Sequence, residues 1–177
     1  MDRTPANADD FLDQALLEEA AKKSGLLWVR ADGQQQDRPV WHAWHDGAVV
    51  VVGDGGEQPL HGLVAGSGAV VTVRSKDKGG RITGWRARVT ELAPHSEAWL
   101  GAVEELKGKR LNAPDTDTIA DRWARECRVL RLEPAGALAE RPGAMPDGSH
   151  AAAPVATPAT TRRPIPAGLP KLLFKRR

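Results

Sequence analysis

Apolar residues recur along this chain first with the period of a helix and then with that of strands. In "DDFLDQALLEEAAKKSG", Leu12, Ala15, Leu16 and Ala20 fall three or four apart and make one apolar stripe. Asp9 or Asp10 can accept hydrogen bonds from the first free N–H groups, and Lys22 and Lys23 precede Gly25, so the spacing predicts a helix that stops at that glycine. Strand-like runs follow. "GLLWVR" leads to Asp32-Gly33, a tight-turn pair, and "RPVWHAW" and "AVVVVG" flank Asp46-Gly47, predicting a hairpin over residues 38–53. "AVVTVRS" and "RITGWRARVTEL" make a second antiparallel pair about "KDKGG", and "RVLRLEP" is a return strand.

Two helices are predicted before that last strand. Ser96 is the candidate N-cap of "EAWLGAVEELKGKRL", with Trp99, Val103 and Leu106 on one face, and "DTIADRWARECR" aligns Ile119, Trp123 and Cys127. Both tryptophans read as helix-to-barrel packing residues. The "AVVVV" run has no polar face and needs cover on both sides, from a barrel interior and from a partner surface. Six short strands with a leading helix and a late helical insertion therefore predict a mainly β fold, a small closed or partly closed antiparallel barrel.

Length and composition are consistent with one ordinary domain: 177 residues, 41% hydrophobic and 27% charged, suffice for a buried core. No apolar run approaches the roughly 20 residues of a spanning helix, and "MDRTPANADD" lacks the apolar stretch of a secretory signal. The single cysteine, Cys127, suits a reducing compartment, so a cytoplasmic location is expected. The net charge of +2 is uneven: seven basic and two acidic residues lie from Ala135 onward, leaving 18 basic and 21 acidic before it. The expected folded domain, residues 1–134, is thus mildly acidic, which argues against nucleic-acid binding through a basic face. Residues 135–177 hold seven of the 13 prolines and no periodic apolar face, so disorder is expected there. Their end, "PKLLFKRR", is either a solvated terminus or a docking segment for an acidic partner or membrane surface.

Candidate chemistry centres on "RPVWHAWHDG". On a strand, Val40, His42 and Trp44 face one way and Trp41, Ala43 and His45 the other, so His42 and His45 cannot share a metal ion, and no metal site is predicted. No nucleophile elbow, Walker loop or dinucleotide-binding glycine pattern is present, and Cys127 falls on a core-facing helix stripe. "GDGGEQ" is a weak phosphate cradle, because glycines also serve tight turns. Arg86 and Arg88 share one face of "TGWRARV", where they could hold an anion or pair with acidic helices.

The order of elements and the stretch "LLWVRADGQQQDRPVWHAWHDGAVVVVGDGG" resemble the split β-barrel flavin-binding family typified by pyridoxamine 5′-phosphate oxidase. The resemblance spans about Phe11 to Pro134. It implies a homodimer holding FMN, or in a sister branch the deazaflavin F420, in a groove at the subunit interface, with oxidoreductase chemistry on a small molecule. It makes Arg38 the strand arginine near the flavin, with Val40 and Trp41 along the same edge. Val52 and Gly53 would end the strand whose backbone meets the ring or its chain. The family commonly places cations next, to hold the phosphate. Here Glu57, Gln58 and Pro59 stand in that stretch, leaving Gln58 as its candidate cofactor contact. Compensating charge could come from the partner subunit, from Arg86 and Arg88, or from "RSKDKGGR" with Arg74, Lys76, Lys78 and Arg81, a loop that reads equally well as an exposed hairpin kept soluble by its charge.

The resemblance does not extend to pyridoxamine oxidase activity itself, since that enzyme's C-terminal substrate-binding segment has no counterpart in the Pro/Ala tail. No catalytic acid or base is assigned. The alternative is a non-catalytic dimeric binding or scaffold protein that has lost the flavin phosphate site and uses its basic tail for interaction. Haem binding by a related barrel would need an axial histidine, for which His61 is the candidate.

Overall fold

The segment "RPVWHAW" forms two strands rather than one, and this kink organises the fold. The computed structural model describes residues 8–148. Within them run α1 (Ala8–Lys23), β1 (Leu27–Ala31), β2 (Arg38–Val40), β3 (Ala43–His45), β4 (Ala48–Gly53), β5 (Gly68–Arg74) and β6 (Arg81–Glu91). Then come α2 (Glu97–Lys109), α3 (Ile119–Glu126) and β7 (Arg128–Pro134). All pairings are antiparallel, in one seven-stranded sheet of order β2-β1-β5-β6-β7-β4-β3. The two outermost strands, β2 and β3, are separated in the chain only by Trp41 and His42. A sheet whose two ends are joined by so short a link must curl, and the result is a split-barrel-like half-barrel. The six predicted strands become seven because the second one pairs first with β1 and then, past the corner, with β4.

The β3–β4 hairpin turns at Asp46 and Gly47, both at positive φ (47° and 76°), the turn that matches the strands' twist. Arg131 braces it by donating to the carbonyls of His45 and Asp46 at 3.2 and 2.6 Å. Strand β4 is buried at every position, as its unbroken apolar run requires. Val49 and Val51 join an inner core with Leu27, Val71, Trp85 and Leu132, while Val50 and Val52 join an outer one with Trp99, Leu106 and Trp123. The outer cover of β4 thus comes from this chain's own α2 and α3. Ser96 caps α2, accepting from the Trp99 backbone N–H at 3.2 Å.

Helix α1 forms as predicted, but its buried face is rotated. Leu17, Ala20 and Ala21 pack on the inner core, while Leu12 is 69% exposed and Ala15 is exposed too. Leu16 and Leu17 make two stripes available, and polar anchors favour the second: His42 bonds the Ala21 carbonyl and Arg141 pairs with Asp13. Beyond β7 the chain doubles back along β6. Ala135 N–H donates to the Arg86 carbonyl, Glu140 exchanges backbone bonds with Gly84, and the Glu140 carboxylate pairs with Arg81 at 2.7 Å. The described fold therefore continues past Pro134. The remainder of the expected disordered tail, with "PKLLFKRR", lies outside the described residues. Among the described residues no helix is long and apolar enough to cross a membrane.

Candidate functional site

The corner between β2 and β3 interrupts the backbone ladder, and a side chain repairs it. The Gln58 amide accepts from the Trp41 N–H at 2.8 Å and donates to the Trp41 and Val52 carbonyls at 2.8 and 3.1 Å. Gln58 is delivered by a tight loop in which its own carbonyl accepts from Asp54 N–H, 3.0 Å away. Behind it the Glu57 carboxylate, only 1% exposed, accepts from Arg110 Nε (2.9 Å), Arg122 Nη2 (2.8 Å) and Trp123 Nε1 (3.0 Å). Burial pushes this carboxyl's pKa up, but the bonds from Arg122 and Trp123 and the Arg110 charge outweigh it, and the net displacement is downward. Arg122 also pairs with Asp115 at 2.6 Å, and the Trp41 and Trp123 rings meet at 6.3 Å. The stretch where the resemblance implies a phosphate site is therefore an internal brace between the corner, α2 and α3.

A cleft of about 510 Å³ opens on the other side of Trp41. Its walls are the end of α1 with Lys22 and Lys23, the corner residues Trp41 and His42, Lys76 of the β5–β6 loop, and the end of α2 with Lys109 and Arg110. None of its lining residues is acidic. Two helix C-termini converge here, and their negative dipole ends account for part of this positive charge. Salt bridges neutralise more: Lys22 pairs with Glu18, Lys23 with Glu19, and Arg110 with Glu57. Lys76 and Lys109 have no ion-pair partner among the described residues, which leaves two uncompensated ammonium groups on the walls of a cleft that also has an indole face.

His42 is 5% exposed, and its Nε2 donates to the Ala21 carbonyl at 2.9 Å, capping the end of α1. Nδ1 is buried without a partner. Burial lowers its pKa to about 4, against the opposing pull of the Ala21 bond and with help from the nearby Lys109 charge, so the ring is neutral at pH 7. His45 lies on the opposite face, against Gly101, where a β-carbon would come within 2.6 Å of its Nε2. The two histidines diverge as the strand alternation predicts.

Of the predicted cofactor contacts, Trp41 and Lys76 share this cleft, and Gln58 stands behind Trp41. The others lie elsewhere. Arg38 is exposed on β2, opposite Val29, while Val40 and Val52 are 2% and 0% exposed within the two cores. Gly53 is covered by its own loop: a β-carbon there would sit 2.4 Å from the Gln58 carbonyl oxygen and 2.5 Å from the Leu60 side chain. Arg74 stacks over Trp28 at 5.2 Å, and Arg86 pairs with Asp32 at 3.0 Å. Sequence reasoning missed Lys22, Lys23, Lys109 and Arg110. The visible signal was the pair of basic runs "AAKKSG" and "KGKRL", each ending a helix, but only the fold brings those ends together.

No family model matches the chain, and no curated protein matches it. Among solved structures, the chain is similar to the conserved hypothetical protein Rv2991 from Mycobacterium tuberculosis, with a TM-score of 0.51 and 15% identity over 74% of this chain and 86% of that one. HutZ, the heme storage protein from Vibrio cholerae, aligns with a TM-score of 0.49 and 12% identity over 71% of this chain and 92% of that one. General stress protein 26 from Jannaschia sp. CCS1 aligns at 0.47 and 18%, over 68% and 73%. The likeness to the mycobacterial protein shows a shared fold.

Proposed function

We propose that this protein is a split-barrel ligand-binding protein that takes an anionic aromatic cofactor, FMN or F420, in the cleft at the Trp41–His42 corner, and that the loaded homodimer is an oxidoreductase acting on a small molecule. The observation that carries this reading is the cleft itself: an indole wall, two unpaired ammonium groups and no carboxylate in the lining. Such a site fits a planar ring with an anionic tail. Trp41 would flank the ring, and Lys76 and Lys109 would hold the anion. The bound cofactor supplies hydride transfer, and the protein positions it.

The test is fluorescence titration of the full-length protein with FMN and with F420, repeated for Lys109→Ala. Saturable low-micromolar binding that weakens in the variant supports the reading; no binding of either cofactor defeats it. The second reading, a non-catalytic dimeric binding or scaffold protein, is favoured by one observation: Glu57, Gln58 and Gly53 are committed to internal packing where the resemblance implies cofactor contacts. A basic tail that docks an acidic partner would belong to that reading.

A further inference from the structure

A second cleft adjoins the basic one and differs from it in chemistry. It is a groove of about 300 Å³ between α1 and the β5–β6 hairpin, lined on its apolar side by Leu16, Ala20, Val73 and Ile82. Leu16 and Ile82 are only half-buried, so this apolar surface is open to solvent. Leu16 belongs to the α1 stripe that the inner core leaves uncovered. The groove meets the basic cleft at Lys23, Ser24 and Lys76, which line both. Lys23 and Lys76 are exposed, and lysines so placed lay their methylenes along apolar surface while the ammonium stays in water. Two of the three residues at the boundary are thus surface side chains that a ligand can displace. Charge sets the orientation of such a ligand. Glu19 lines the groove but is already paired with Lys23, whereas Lys76 has no ion-pair partner among the described residues. An anionic head is therefore favoured at Lys76 and repelled at Glu19. We propose that the groove takes the chain of an anionic amphiphile, an unbranched alkyl carboxylate whose head sits at Lys76 on the boundary with the basic cleft. This rests on Lys76 being an anion-binding group, as in the reading above, but not on a flavin being bound. It gives the small-molecule substrate a class, a chain carboxylate presented beside the cofactor cleft.

Hexanoate, octanoate and decanoate, each below its aggregation threshold, are titrated calorimetrically into the full-length protein. Affinity is expected to rise about two- to fourfold per added methylene, the upper figure being the gain for complete burial. Decyltrimethylammonium, with the same chain and the opposite charge, should bind about tenfold more weakly than decanoate. Lys76→Ala should weaken decanoate about threefold, the worth of one exposed ion pair, and leave the increment per methylene unchanged. Leu16→Glu sets a carboxylate in the groove and should abolish that increment while the helical circular dichroism is kept. If that variant fails to fold, the chain-length and head-charge series and Lys76→Ala decide. An affinity independent of chain length, equal binding of the cationic amphiphile, or an unchanged increment in folded Leu16→Glu overturns the proposal. So does the absence of saturable binding, and sedimentation with phosphatidylglycerol vesicles in that case would assign the charge to a bilayer surface instead. FMN or F420 binding without a chain-length effect would keep the cofactor reading and remove this one. A chain-length effect without FMN or F420 binding would do the reverse.

Discussion

Replacing Glu57 by glutamine or leucine tests whether the "GDGGEQ" loop is a brace. In the native protein one carboxylate oxygen accepts from Arg122 and Trp123 and the other from Arg110, with the side chain 1% exposed. Glutamine keeps an oxygen for Arg122 and Trp123 but turns an N–H₂ toward Arg110 Nε, so a donor meets a donor, Arg110 loses its counter-charge and Arg122 keeps only that of Asp115. Leucine removes all three acceptor contacts. Breaking a buried pair by removing one partner costs about 3–5 kcal/mol, but Arg110 and Arg122 remain 27% and 21% exposed and can recover water, so the cost falls to the foot of that range or below it. We expect losses of about 2 kcal/mol for glutamine and about 3 kcal/mol for leucine, or roughly 6 and 9 °C in Tm for a domain of this size.

The assay is urea unfolding at several pH values. Because the folded-state pKa of Glu57 is depressed, its contribution is fully present above the ordinary carboxylate value of 4.5 and is lost as pH falls through the folded value. The native protein should therefore lose stability below that point more steeply than Glu57→Gln. A glutamine variant within about 0.5 kcal/mol of the native protein, with a parallel pH curve, would refute the brace.

Three further outcomes are expected. Gly53→Ala places a β-carbon against the Gln58 carbonyl and Leu60, so it should destabilise by about 2–3 kcal/mol in calorimetry, and a neutral result would mean the loop is loose. Cys127 has its thiol pKa pushed up to about 11 by burial and lies 3.4 Å from the Asp54 carbonyl; at pH 8 its alkylation should run about 100-fold slower than that of an ordinary thiol, and labelling at the free rate would contradict this. His42 has a folded-state pKa of about 4, below its ordinary 6.5, so the unfolded chain binds its proton first as pH falls; stability should drop by roughly 3 kcal/mol between pH 7 and pH 4, and His42→Gln should flatten that window, read by urea midpoints.

Much of the framework was legible because short-range chemistry dictates it. The Asp46-Gly47 turn, the Ser96 cap, the fully buried β4 and the packing tryptophans Trp99 and Trp123 each follow from a few neighbouring residues. What escaped depends on distant partners. "RPVWHAW" contains no turn dipeptide, and nothing local says that β1 takes its first half and β4 its second. The α1 stripe was read through Leu12 and Leu16, whereas the packed face runs through Leu17, Ala20 and Ala21 against a core that distant strands assemble. The cleft was hidden for the same reason. Lys22 and Lys109 read as ordinary basic endings of two helices, and only the curl of the sheet makes those endings neighbours.

The position of the positive charge is the strongest pointer the fold gives to what the protein binds. A loop that carried cations could hold a phosphate at the end of β4; this one carries Glu57, which instead ties up Arg110 and Arg122 and fixes the corner from behind. The uncompensated charge lies on the far side of Trp41. Helix dipoles alone would call for basic residues on α1 and α2, and Lys22, Lys23 and Lys109 meet that need. They do not call for Lys76, which arrives from a separate hairpin loop. Its place on the cleft wall beside Trp41 is what the proposed anion site rests on, because an exposed hairpin loop requires no particular neighbour for its charge.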